Sequence, residues 1–438
     1  MEQADEGARR AVEAVWRIEA PRLVAGLARL AGGDLGLAED LAQDALVAAL
    51  EQWPAEGVPR NPGAWLMTVG RRRAVDLVRR DQNYARKLAQ VARELESAEQ
   101  AGSADPGPAA QPPDIEDDLL RLVFVACHPV LSPQARTALT LRLLGGLTTA
   151  EIARAYLVPE ATVAQRISRA KRTLADRGVR FELPDGPELA ARLASVLEVI
   201  YLIFNEGYAA TGGVAWVRPA LCEDAVRLAR VLVGLMPKEP EVHGLAALLE
   251  LQSSRLGART APDGAAVLLG DQDRGRWNRV FILRGFAALA LADEAARARG
   301  AVPGPYALQA AIAAAHASAL KAEETDWPTI ARLYTALAAQ LPTPVVELNR
   351  AVAVSRAQGP AAGLALVDRL VAADALPNYH LLPAVRADLL ARLDRPAEAR
   401  AEYLRAAELA GNAAERALLL ERARASAPGG AASGEAVS

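Results

Sequence analysis

Apolar residues recur along this chain every three or four positions and rarely alternate in twos. That period belongs to helices with one buried face, so the pattern predicts an all-α protein. In residues 8–30 the stripe is Val12, Val15, Trp16, Leu23, Leu27 and Leu30. Pro21 falls inside it, where a kink or a break is expected. Residues 35–53 carry a second stripe, Leu37, Leu41, Ala45, Leu46, Ala49, Leu50 and Trp53. Prolines 54, 59 and 62 with Gly57 then predict a loop over 54–62. A third helix is expected over 63–80, where Trp65, Leu66, Val69, Val75, Leu77 and Val78 can pack. Residues 94–114, containing SADPGPAAQPPD, are poor in large apolar side chains and read as linker. A helix over 115–127 follows it.

Residues 132–177 hold the densest set of start and stop signals. Ser132 is a candidate N-cap with Pro133 at the first helical position. Leu139, Leu141, Leu143 and Leu144 follow, and Gly145-Gly146 stop the helix. Thr148 or Thr149 caps a short second helix, with Glu151 placed as in a capping box and Ile152, Ala153 and Tyr156 inward. Leu157-Val158 make a tight turn, and Pro159 opens a third helix. Two helices joined by so short a turn form a helix-turn-helix. In the third helix Val163, Ile167, Ala170 and Leu174 must face inward. Gln165, Ser168, Arg169 and Arg172 then face outward, flanked by Ala164, Arg166 and Lys171. Arg can pair with guanine and Gln with adenine in a major groove, while the other cations meet phosphates.

Composition narrows the class. Over 438 residues the net charge is −3, so bulk charge does not make the chain a polyanion binder. Its cations are clustered instead: Arg71, Arg72, Arg73, Arg79 and Arg80 face only Asp76 within residues 63–80. Residues 35–53 carry Glu39, Asp40, Asp44 and Glu51 outside the apolar stripe, as a solvated face or as an acidic docking face. Two cysteines, Cys127 and Cys222, imply no disulfide framework and suit a reducing cytoplasm. The first ten residues lack an apolar core, so no signal peptide is expected, and the apolar run 193–204 is too short for a membrane span. No metal or cofactor is expected, since the four histidines have no ligand-like spacing.

An acidic AEDLAQDAL helix, a Pro-rich loop and then WLMTVGRRRAVDLVRR resemble region 2 of extracytoplasmic-function sigma factors. LTLRLLGGLTTAEIARAYLVPEATVAQRISRAKRTL resembles region 4 of the same family, in the right order. The resemblance implies binding of core RNA polymerase through Glu39, Asp40, Asp44 and Trp53. It implies recognition of a −10 element through Arg60 and Asn61, which would hold an unstacked base. Arg71, Arg72 and Arg79 would hold phosphates there. Ala164, Gln165, Ser168, Arg169, Lys171 and Arg172 would read a −35 element.

Members of that family end near residue 180, and this chain continues. A turn at Asp185-Gly186-Pro187 starts an apolar helix, which Gly207 in NEGY is expected to stop. From about Trp277 the pattern becomes paired helices. The breaks Gly359-Pro360 and Arg395-Pro396 repeat at an offset of 36, shared by Arg350 with Arg386 and Ala351 with Ala387. That is close to the tetratricopeptide length of about 34. Stacked pairs leave a groove suited to a protein or peptide ligand. Such an extension, with DGPE at 185–188, resembles a sigma-factor subgroup whose extension regulates activity within the chain. The expected domains are region 2 over 8–82, a linker over 83–114 and region 4 over 115–180. A helical extension over 181–276, tetratricopeptide-like repeats over 277–426 and a disordered tail over 427–438 follow.

Two other function classes compete. A one-component helix-turn-helix regulator with a helical sensor domain needs no second basic helix and no acidic docking face. An enzyme is disfavoured because no nucleophile triad, P-loop, dinucleotide turn or HExxH stands in the chain, and Asp117-Asp118 read as a solvated helix start.

Overall fold

The computed structural model describes residues 2–80, 113–209, 217–261, 267–411 and 413–426, and among these there is no β-strand. The expected linker, apart from residues 113 and 114, and the expected tail lie outside the described residues. The chain divides into two compact units, Met1–Leu202 and Ile203–Ser438.

The first unit begins with α1 (Glu2–Leu30), which packs on α2 (Leu35–Glu56), α3 (Pro62–Arg80) and α4 (Pro113–Ala126). The helix is not interrupted at Pro21. Pro21 is buried beside Ala20, Leu23 and Val24, and burial of that face outweighs one missing backbone hydrogen bond. α2 likewise runs through Pro54 to Glu56, so the predicted loop shrinks to residues 57–61. Asp34 caps α2 through Gly36 N and Leu37 N, and Gly57 ends it at φ 86°. Asn61 Oδ1 accepts from Ala64 N at 3.1 Å and caps α3.

Local signals carry the next three helices, α5 (Pro133–Leu143), α6 (Thr149–Tyr156) and α7 (Glu160–Asp176). Ser132 caps α5, and the capping box between Thr148 and Glu151 closes on both hydrogen bonds. Leu157 takes the left-handed conformation that turns α6 into α7. The final element, α8 (Gly186–Tyr208), starts in this unit, and the unit boundary falls within it.

Asp118 corrects the expectation of a solvated start to α4. It is 1% exposed, accepting from Arg29 Nε at 2.8 Å and Arg121 Nη1 at 2.6 Å. A carboxylate so buried must be paired, and Arg29 supplies the partner from α1.

In the second unit, Gly207 does not stop α8, which continues to Tyr208. A Cβ at Gly207 would lie 2.8 Å from both Cys222 N and Leu221 Cβ, so this glycine lets α9 (Pro219–Leu235) approach. Glu206 pairs with Arg218, and the Tyr208 ring lies under Arg259 at 3.8 Å. Glu206 and Tyr208 of NEGY therefore make contacts within this unit. α10 (Pro240–Ser253), α11 (Arg279–Ala298) and α12 (Pro305–Ser318) pack together. Six further helices complete the unit: α13 (Trp327–Gln340), α14 (Pro344–Gln358), α15 (Pro360–Ala372), α16 (Leu381–Ala391), α17 (Pro396–Leu409) and α18 (Ala413–Ala425). Consecutive helices pack on one another from α12 to α18. The offset of 36 has a packing cause. Ala351 and Ala387 are fully buried, and Gly363 and Ala399 keep the paired helices close. A Cβ at Gly363 would meet Ser355 Cβ at 2.4 Å. Val367 and Tyr403 fill matching core positions of the two pairs.

Candidate nucleic-acid interface

The buried residues of α7 are Val163, Ile167, Ala170 and Leu174, and this phase decides what the helix shows to solvent. Ala164, Gln165, Ser168, Arg169 and Arg172 are exposed along one side. The α6 capping box and the Leu157 turn hold α7 at its N-terminal end, where a recognition helix meets bases. Arg166 is half-buried, and Arg177 and Arg180 are exposed beyond the helix.

Lys171 does not lie free beside them. Its ammonium pairs with Glu39 Oε2 of α2, and Arg142 Nε of α5 donates to Glu39 Oε1 at 2.5 Å. Burial works against the Glu39 charge, but Lys171 and Arg142 outweigh it and hold the carboxyl below its ordinary value. Glu39 is therefore enclosed between the two predicted sigma regions rather than displayed on an acidic face. Arg142 also donates to Leu147 O at 3.1 Å, which ties the clasp to the loop before α6.

Other predicted docking residues separate in the same way. Asp40 and Asp44 are exposed on α2. Trp53 is 2% exposed and packs edge-on against Trp65 at 5.3 Å, so it belongs to the core of this unit and not to its surface. Sequence reasoning missed Val47, which is 52% exposed, and misplaced Leu50 in the buried stripe, where it is 39% exposed. With Asp40, Asp44 and Glu51 they form a mixed acidic and apolar strip on α2. The available signal was Val47 standing in phase with three acids.

Around α3 the structure places Arg60 and Asn61 exposed in the short loop, although the Asn61 carbonyl is engaged as a cap. Arg72 and Arg73 are exposed, while Arg71 is half-buried and has a partner. The Arg79 side chain lies outside the described residues.

The first half of α8 is joined to the helix-turn-helix. Arg192 Nη2 donates to Phe124 O at 2.9 Å, and Ser195 Oγ donates to Cys127 O at 2.6 Å. Arg136 of α5 reaches Ser195 and, at 2.9 Å, Glu198. Burial pushes the Cys127 thiol up to about 11, and His128 Nδ1 accepts from Val130 N. Among the described residues no group of His, Cys, Asp and Glu could hold a metal, and no helix is long and apolar enough to cross a membrane.

Comparison with known proteins adds independent findings. Sigma-70 region 2 matches residues 18–84, and sigma-70 region 4 matches residues 121–174. Residues 192–293 match a family of unknown function, DUF6596. An uncharacterized protein of Rhizobium meliloti (strain 1021) is 47% identical over 386 residues, covering 88% of this chain and 89% of its own length. No solved structure matches the chain.

Proposed function

Since the chain belongs to the sigma-70 family, as an extracytoplasmic-function factor with a tetratricopeptide-like extension, we propose that it binds core RNA polymerase and directs it to specific promoters. It is a regulatory protein and not an enzyme. The observation that carries the reading is the outer face of α7, where Gln165, Ser168, Arg169 and Arg172 stand exposed over a fully buried inner stripe. That face reads the −35 element, with Arg169 and Gln165 on base edges, and Ala164 leaves room for close approach. Arg172 and, once released, Lys171 attract phosphates.

Region 2 performs the other two tasks. Asp40, Asp44, Val47 and Leu50 of α2 dock on the polymerase, with Glu39 joining them when it is freed from the clasp. Arg60 and Asn61 hold an unstacked base of the −10 element, while Arg71, Arg72 and Arg79 hold phosphates. Extrusion of a base costs a few kcal/mol, which such contacts must return. The extension regulates these steps within the same chain.

The clasp bears on the order of events. Lys171 cannot neutralise a phosphate while Glu39 holds it, and Glu39 cannot meet polymerase while it holds Lys171. Regions 2 and 4 therefore part before or during promoter binding. Run-off transcription with purified core polymerase and a promoter library tests the function. Start sites that depend on this chain and share −35 and −10 sequences are expected. Output equal to that of core polymerase alone would overturn the proposal.

A further inference from the structure

The second unit contains a cavity of about 620 Å³, within the size range of small-molecule sites. Alternate helices of the repeats line it: Val352 comes from α14, Val385 and Leu389 from α16, and Leu419 from α18. Leu389, Tyr403 and Leu419 are at the same time buried members of the core between these helices. Part of the cavity wall is therefore the edge of a packed core, held in place by that packing.

The segment before α11 supplies Leu269 to the same wall. Arg274 anchors this segment across the end of α12. Its guanidinium donates to His316 O at 2.8 Å, Ala319 O at 2.9 Å and Thr325 Oγ1 at 2.8 Å. Beside the anchor, His316 meets Trp327 edge-on at 5.2 Å. Burial, with Arg255 and Arg274 nearby, pushes His316 down to about 3, so its ring is uncharged at physiological pH.

The lining holds four carboxylates, Asp271, Glu323, Asp388 and Glu415, and three guanidiniums, Arg274, Arg356 and Arg422. Their signs nearly balance, and each group is either engaged or exposed. Asp388 lies 3.7 Å from Arg422 and 3.9 Å from Arg392, which stands outside the lining. Glu415 lies 3.2 Å from His380 Nε2. Arg274 spends its donors on the three oxygens of the anchor. Arg356 is exposed, with its guanidinium over the Trp327 ring at 5.9 Å, and Asp271 and Glu323 are exposed as well. A charged ligand group entering among the leucines and valines would lose its hydration. To gain a counter-ion there it would have to break a pair already made.

We propose that this cavity binds an uncharged, largely hydrocarbon small molecule, held by burial of its apolar surface against the leucine and valine walls. The site lies wholly in the second unit, and its chemistry is independent of the promoter reading.

The test titrates the full chain with Nile red, an uncharged dye that brightens in apolar surroundings. One saturable site per chain is expected. Decanol, decanoate and decylammonium then compete with the dye at neutral pH; they share one body and differ in head-group charge. Decanol should displace it at a concentration about tenfold or more below either ion, because each ion must give up hydration without a free partner. This ranking needs no variant. Val352→Phe and Ala384→Trp fill the cavity from two helices, and either one that keeps the wild-type melting curve should weaken dye binding about tenfold or more. Displacement by either ion at the concentration that suffices for decanol would overturn the proposal. So would dye binding that never saturates at one per chain, or that is unchanged in a filling variant melting as the wild type does.

Discussion

Replacing Arg142 by Met should loosen the two sigma regions from each other without touching a residue assigned to DNA or polymerase. Arg142 contributes one of the two cations on Glu39, at 2.5 Å, with its side chain 21% exposed and that of Glu39 11% exposed. A hydrogen bond to a charged group contributes about 1.5–3 kcal/mol. Partial exposure places this one near the lower end, at about 1–2 kcal/mol, a factor of roughly 5–30 in an equilibrium constant. Met keeps much of the aliphatic stem, so lost packing adds little. Glu39 retains Lys171 and is not left as an orphaned buried charge. Glu39→Gln should have the larger effect, because Arg142 and Lys171 then face one neutral amide and each other.

Energy transfer between dyes on cysteines placed at Gln52 and Ala175 measures the separation, since both positions are exposed. Native Cys127 and Cys222 do not compete for label, because burial pushes their thiols up to about 11 and about 12. The ratio of closed to open molecules should fall roughly 5–30-fold in Arg142→Met. Arg29→Met cuts a separate tie, to Asp118 at 2.8 Å, and shares no partner with Arg142, so the two effects should add. Raising salt to the molar range should open the wild type toward the variant, because screening weakens partly exposed pairs. Transfer histograms that coincide for wild type, Arg142→Met and Glu39→Gln would refute the claim that this clasp holds the regions together.

Acid should act on the same contact with a definite sign. Glu39 is depressed below its ordinary 4.5, so its contribution to the closed state is complete above that value and is lost as pH falls through the lower, closed-state value. The transfer ratio should thus be flat from pH 6 to pH 8 and fall only in acid, and a change centred near neutrality would point to another group. Arg169→Ala should weaken specific −35 binding by ~1–3 kcal/mol in a gel-shift series and relax preference at one position. Arg60→Ala with Asn61→Ala should lose permanganate reactivity at the −10 bubble while keeping polymerase binding; losing the Asn61 cap also costs about 0.5–2 kcal/mol of stability, visible in melting curves. Cutting the chain after Arg180 should abolish run-off activity and lower the melting temperature, because Arg136 loses Ser195 and Glu198 and the α4 end loses Arg192. A cut after Leu202 keeps those bonds, so only the first cut should destabilise the unit; equal melting of the two would remove α8 from its packing role.

The features legible in the sequence were those written within a few residues of themselves. Ser132, Thr148 with Glu151, and Leu157 act on backbone groups three or four positions away, and the helix-turn-helix follows from them. The apolar period gave the α7 inner face because Val163, Ile167, Ala170 and Leu174 need only a common side to hide. Pro21 and Pro54 misled because a single missing hydrogen bond is a small term beside a buried helix face. Gly207 misled because its use depends on a neighbour, Cys222, that no local rule brings close.

The misread charges share one cause. Glu39, Asp118 and Lys171 look solvated or DNA-facing from their neighbours in sequence, yet each is tied to a residue 89 or 132 positions away along the chain. Their phase in the helix is nonetheless informative. Glu39 stands four after Leu35 and three before Ala42, both buried. Asp118 stands four before the buried Leu122, and Lys171 four after Ile167 and three before Leu174. Each ionisable side chain therefore points with the apolar stripe, where a charge persists only beside an opposite one. Asp40, Arg169 and Arg172 are out of that phase and exposed, whereas Asp44, three after the buried Leu41 and four before the buried Ala48, is in phase and exposed as well. Register with a buried stripe thus marks candidates for a distant counter-ion, which Glu39, Asp118 and Lys171 have and the exposed Asp44 does not need. Here the two such acids found their partners across the two sigma regions or between their first helices. The residues that hold this chain closed are accordingly distinct from Asp40, Asp44, Arg169 and Arg172, which are left to meet its partners.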